Sequence, residues 1–155
     1  SLMLEIFNTL SKLAECVCEV TKELGDSCFC GVITGDAISA LGAADQAQSY
    51  VRLATVFSGE SVNNLVSASG FPCGPQSLLT SSLVGQFACI VGTEEFPEET
   101  LEAESVEKQL HAMEVLLEAI TCCDWTSRNF TLDSWEPIGP ENGLLGGVWN
   151  ITLEL

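Results

Sequence analysis

The last eight residues alternate without a break. Val148, Asn150, Thr152 and Glu154 fall on one side, and Trp149, Ile151, Leu153 and Leu155 on the other. A period of two is a strand with one buried face. Before it lies a run of Pro, Gly and Asn that no helix tolerates, and Phe130 to Trp135 reads as a second strand ahead of that run. Asn142-Gly143 supplies the backbone freedom that a hairpin turn requires. The chain therefore ends in a sheet. No residue of this stretch belongs to a nucleophile–base pair or a metal-ligand set, so its information is architectural.

The remaining elements follow from periodicity. Residues 2–24 read as an amphipathic helix with Ile6, Phe7, Leu10, Leu13, Ala14, Val17 and Val20 as its apolar stripe, stopped at Gly25. Cys28 to Ile33 and Tyr50 to Phe57 read as strands, with Val51, Leu53 and Phe57 sharing a face. Gly35 to Gln48 reads as a loop with at most one helical turn. Leu78 to Val91 contains a further strand. Pro97 opens a second helix running to about Thr121, with Val106, Leu110, Met113, Leu117 and Ile120 as its core stripe. The order α-β-β-β-α-β-β predicts an α/β (α+β) fold: one single domain over 1–155, a mostly antiparallel sheet and two main helices. With 155 residues, 46% of them hydrophobic, the chain can bury a real core.

Charge excludes several classes of function. Five basic residues stand against 22 acidic ones, a net charge of −17. Lys12, Lys22, Arg52, Lys108 and Arg128 are scattered and make no patch to displace counterions from nucleic acid. An anionic membrane surface is disfavoured for the same reason. No apolar run reaches the length of a membrane span, and no basic region followed by an unbroken apolar run marks a signal peptide at the start.

Eight cysteines, at 16, 18, 28, 30, 73, 89, 122 and 123, pose a choice. C-x-C and C-C spacings suit a tetrahedral metal poorly, because zinc sites want two to four residues between ligands. A chain of this size needs no staples. The expectation is that most are reduced and serve as small buried hydrophobes, with a disulfide framework or a metal site as the alternatives. The sequons at Asn129 and Asn150 read as chance, the second falling inside the predicted last strand.

Catalytic patterns are missing. His111 is the sole histidine and sits beside Glu107 on a helix. No nucleophile elbow, phosphate loop or dinucleotide fingerprint occurs. Glu94, Glu95, Glu98 and Glu99 form an acidic turn and helix start, read as a solvated or lumen-facing surface favoured by the helix dipole. No catalytic residue, cofactor or metal is expected. Ser58 to Gln76 reads as a long mobile loop. Its composition gains little by packing, yet it carries Leu65, Val66 and Phe71, which read as anchors for a partner, or as groups that close the loop on its own domain. Trp135, at a strand end, reads as either core or interface.

The segments YVRLATVF, a loop containing FP, FACIVG, LLEAITCCDW and SWEPIGPENGLLGGVW occur in that order. Together they resemble the tail-terminator proteins of long-tailed phages, closest to the cysteine-rich group from phages of actinobacteria. The resemblance implies a sheet flanked by helices, assembled as a six-fold ring at the head–tail junction of the virion. There it would cap the major tail tube protein and meet the head–tail connector protein, after assembly in the host cytoplasm. DNA would pass through without being gripped, since like charges repel. Paired cysteines are similar to that group's habit and do not argue for secretion. Between Gly35 and Ala47 the resemblance implies further cysteines, and the chain has none. The competing readings are another connector such as a stopper, a secreted disulfide-rich binding domain, and, from a third class, a cysteine-nucleophile enzyme.

Overall fold

Among the described residues, five strands form one sheet. The structure is a computed structural model and describes residues 2–24, 27–34, 47–58, 78–89, 98–141 and 144–154. Helix α1 (Leu2–Val20) runs into a 3₁₀ turn (Thr21–Leu24); β1 (Ser27–Ile33), β2 (Ala47–Ser58) and β3 (Leu78–Cys89) follow. Helix α2 (Glu98–Cys122) precedes β4 (Phe130–Glu141) and β5 (Leu144–Glu154). The described strands lie in the order β1-β2-β3-β5-β4, with β1 and β2 paired in parallel and the other three pairings antiparallel. The expected α+β order and the mostly antiparallel sheet are present. β4 continues past Trp135 through Pro137 and Pro140 because it is an edge strand, where a missing N–H breaks no ladder.

The register builds the core row by row. Val32, Val51, Val84, Trp149 and Trp135 are successive partners across all five strands. Both helices pack on the face that carries this row. Leu10, Leu13 and Val17 of α1 and Leu116, Ala119 and Ile120 of α2 join Val51, Val84, Ile151 and Leu153 in one buried cluster. Each large aliphatic group removed from water there contributes about 1.5–3 kcal/mol. Trp125, just past α2, is buried in the same cluster, and its indole N–H donates to the Ile120 carbonyl at 2.8 Å. That bond satisfies one of the carbonyls a helix end leaves without a partner.

The α2 stripe differs from the expected one. Val106 and Leu110 are 53% and 49% exposed, while Ser105, Ala112, Leu116 and Ala119 are buried. The buried stripe steps 105, 109, 112, 116, 119, and two of its members are polar. Gln109 answers its polarity by donating from Nε2 to the Ile138 and Gly146 carbonyls, both at 3.2 Å. The small residues bring the helix backbone close to its neighbours, which large side chains would prevent. On α1, Phe7 is 57% exposed and lies off the core stripe as well. In β2 a bulge between Leu53 and Thr55 changes the phase, so Val56 partners Thr80 and Phe57 partners Leu79. By register, Phe57 thus leaves the face of Val51.

The cysteine expectation is corrected. Cys16 is bonded to Cys123, and Cys18 to Cys30. The C-x-C pair of α1 is not a chelate. Two positions apart on a helix point about 200° from each other, so Cys16 ties α1 to the end of α2 while Cys18 ties it to β1. Cys122, beside Cys123, remains an exposed thiol.

Gly139 and Gly147 are each fixed by geometry. Gly139 has φ 93° at the register break between Ile138 and Glu141, a conformation that costs any other residue strain. At Gly147 an added Cβ would stand 2.6 Å from the Glu136 carbonyl oxygen and 2.8 Å from Cε2 of Trp135. The indole atoms Cζ2 and Cε2 stand close against the bare backbone there. Gly147→Ala should cost about 2–3 kcal/mol in a denaturant melt, an overpacking penalty against groups that cannot all withdraw. Adding Trp135→Leu should return only part of it, because the carbonyl stays. Full recovery would show that the ring alone sets the limit.

Candidate interaction surface

Strand β1 has β2 on one side and no described strand on the other. Beside it α1 and the 3₁₀ turn after it carry a second stripe, which shares Ala14 with the one that enters the core. Phe7, Ser11, Ala14, Glu15, Cys18, Glu19 and Lys22 recur at three- and four-residue spacing. With Cys30, Gly31 and Val32 of β1 they line an open groove of about 580 Å³. Its floor is apolar and small: Ala14, the Cys18–Cys30 bridge, Gly31 and Val32. Its rim is charged. Lys22 Nζ lies 2.9 Å from Glu19 Oε2, both side chains being largely in solvent, so the pair contributes little to stability. Glu15 is exposed on the same rim and has no ion pair among the described residues.

Other apolar groups reach the surface. Met3 and Leu4 stand with Phe7 on the first turns of α1; Val106 and Leu110 lie on α2, and Leu53 and Val56 near the end of β2. Met3 is 72% exposed. Single exposed hydrophobes need no explanation, but a turn of helix bearing three of them is a contact surface in waiting.

The residues expected at a partner interface are placed as follows. Trp135 is half-buried on the helix-covered face, its ring 5.7 Å from that of Trp149. Its indole N–H is buried without a hydrogen-bond partner. Leu65, Val66 and Phe71 lie outside the described residues, as do Glu94 and Glu95. Ser58 closes β2, and the rest of the segment expected to be mobile is outside as well. Glu98 and Glu99 form the first positions of α2. His111 is exposed on the same helix, away from the groove. Asn150 donates from its amide to Ser134 Oγ at 3.0 Å, beside a Thr152–Asp133 hydrogen bond of 2.7 Å.

Among the described residues no three His, Cys, Asp or Glu side chains are grouped to hold a metal ion, and no helix is long and apolar enough to cross a membrane. The chain matches no protein-family model, and no curated protein matches it.

The groove was missed in the sequence because α1 reads as one stripe when only large apolar residues are counted. Ser11 and Cys18 mark the second stripe by size and not by hydropathy. Gln109 was missed for a similar reason: a glutamine inside a helix reads as solvated until its period is followed back from Ala112 and Leu116.

Proposed function

We propose that the chain is a structural component of a phage tail: a tail terminator that assembles as a ring and joins the tail tube to the head connector. One observation carries the reading. The segments that resemble tail terminators fall on contiguous elements of one sheet and the helix against it. YVRLATVF lies within β2 and FACIVG begins at the end of β3. SWEPIGPENGLLGGVW spans the β4–β5 hairpin, and LLEAITCCDW ends α2. These strands are neighbours in the order β2-β3-β5-β4. A resemblance scattered over unrelated surfaces would carry less weight.

The surface supports an assembling part. Met3 and Phe7 are exposed on the first turns of α1, and the net charge of −17 lets DNA pass a ring without being held. The partners on this reading are further copies of the chain, the tube protein on one side and the connector on the other.

A second reading is favoured by the two disulfides. Such bonds persist in oxidising compartments, which fits a secreted binding domain. Native mass spectrometry separates the two. The purified chain, alone or mixed with a phage tail-tube protein, should form closed rings of about six copies. A chain that stays monomeric at every concentration, with and without the tube protein, would overturn the tail reading and leave the secreted one.

A further inference from the structure

We propose that one flank of α2 docks an amphipathic helix of another protein, a helix whose apolar seam is bordered by Lys or Arg. Val106, Leu110, Met113 and Leu117 step by four, three and four, the spacing of a seam between two packed helices. Each follows a member of the inward stripe (Ser105, Gln109, Ala112 and Leu116) by one residue. The seam therefore lies about 100° round the helix from the face on the sheet. Val106 and Leu110 are exposed, and Met113 and Leu117 are half-buried. An apolar seam open to water over about three turns suits the apolar face of a second helix. It ends at Ile120, the next position of the period, which is buried in the core. The helix is already held where the seam runs. Gln109 donates to the Ile138 and Gly146 carbonyls, and the Met113 carbonyl accepts from the Trp149 indole. A docking helix thus meets a surface that needs little ordering.

Charge identifies the occupant. Glu107 and Glu114 directly follow Val106 and Met113, at the heptad positions that border a seam and face the flanking residues of a partner helix. Both are exposed. Lys108 is the sole Lys or Arg of α2, and it stands two residues from both Val106 and Leu110, about 200° round the helix from each. It cannot border the seam. A second copy pairing antiparallel through the same seam would set Glu107 and Glu114 against each other. Pairing in parallel would set them against Gln109 and Leu116, which carry no charge to answer them. The remaining basic residues, Lys12, Lys22, Arg52 and Arg128, are scattered over α1, the turn after it, β2 and the stretch before β4. A helix with basic flanks meets both the apolar seam and its acidic border, and the net charge of −17 draws it in. The occupant is therefore a basic helix and not another copy, whether or not the chain forms rings.

The test uses three labelled helical peptides of about 20 residues, with fluorescence anisotropy for affinity. One has Leu at the seam positions and Lys on the flanks, one has Leu and Glu, and one has Ser and Lys. The Leu-Lys peptide should bind, and the other two should fail, for charge and for want of apolar groups. Location is read from methionine methyl resonances, because the chain has two methionines and they lie on different exposed surfaces, Met3 on α1 and Met113 in the seam. Met113 should shift and Met3 should not. Glu107→Lys with Glu114→Lys should weaken Leu-Lys binding by about tenfold or more. Glu15→Lys with Glu23→Lys, an equal change of net charge at exposed positions outside α2, should leave it within about twofold. Far-ultraviolet circular dichroism should show both folds retained. Equal binding of the Leu-Lys and Glu-flanked peptides, a silent Met113, or equal effects of the two charge reversals would each overturn the proposal. So would a change in copy number on Val106→Ser with Leu110→Ser, since a second copy would then fill the seam. Ring formation by the unaltered chain is measured by mass without any peptide, so failure here leaves the tail reading standing.

Discussion

Replacing Cys16 and Cys123 together by Ala should lower the stability of the fold by about 4–5 kcal/mol. The bond closes a loop with a sequence separation of 107, and the conformational freedom it removes from the unfolded chain grows with the logarithm of that length. The same relation gives about 3 kcal/mol for Cys18–Cys30, whose separation is 12. A small domain has a total stability of about 5–15 kcal/mol, so the first pair carries a large share of it. Urea melts of the two double variants should rank in that order. Equal losses, or a larger loss for Cys18 and Cys30, would show that local packing at α1 outweighs the loop term. Cys16 is 8% exposed within the core, so its replacement by Ser would add a buried hydroxyl to the loss, and Ala is the cleaner choice.

Trp149→Ala should cost about 3–5 kcal/mol, the range for removing a large aromatic packed on a core. Trp149 stands between Val84 and Trp135 in the row that crosses the sheet, packs against the buried cluster, and donates its indole N–H to the Met113 carbonyl at 3.0 Å. That bond pins α2 to the sheet. Trp149→Phe keeps most of the contact area and loses the bond, and should cost about 1–2 kcal/mol. If the two variants melted alike, the hydrogen bond and not the packing would hold the residue's contribution.

The sheet was legible because its signals are local. The alternation from Val148 to Leu155, the run from Tyr50 to Phe57 and Pro97 ahead of α2 each give an element without reference to any other. What escaped depended on partners distant in sequence. Ser105 and Gln109 belong to the buried stripe of α2 because of where the β4–β5 hairpin lies, and hydropathy cannot express that. Val106 and Leu110 looked like core for the converse reason. The bulge at Leu53 sets Phe57 on the opposite face, and no residue there announces it. Cys16 and Cys18 looked like a pair because they are close in sequence, whereas a helix sends them to different partners.

The fit of the Trp135 indole against Gly147 makes the hairpin self-indexing. A slip of two residues in either direction would place Leu145 or Trp149 opposite Pro137, where the ring needs a position with no side chain. A slip of one would instead turn the apolar face of β5 outward. The ring thus works as a gauge that accepts a single alignment. Because β4 is outermost among the described strands, a single alignment sets one sequence of backbone donors and acceptors along its outer side. Anything that docks on that side meets one fixed pattern and not a distribution of shifted ones.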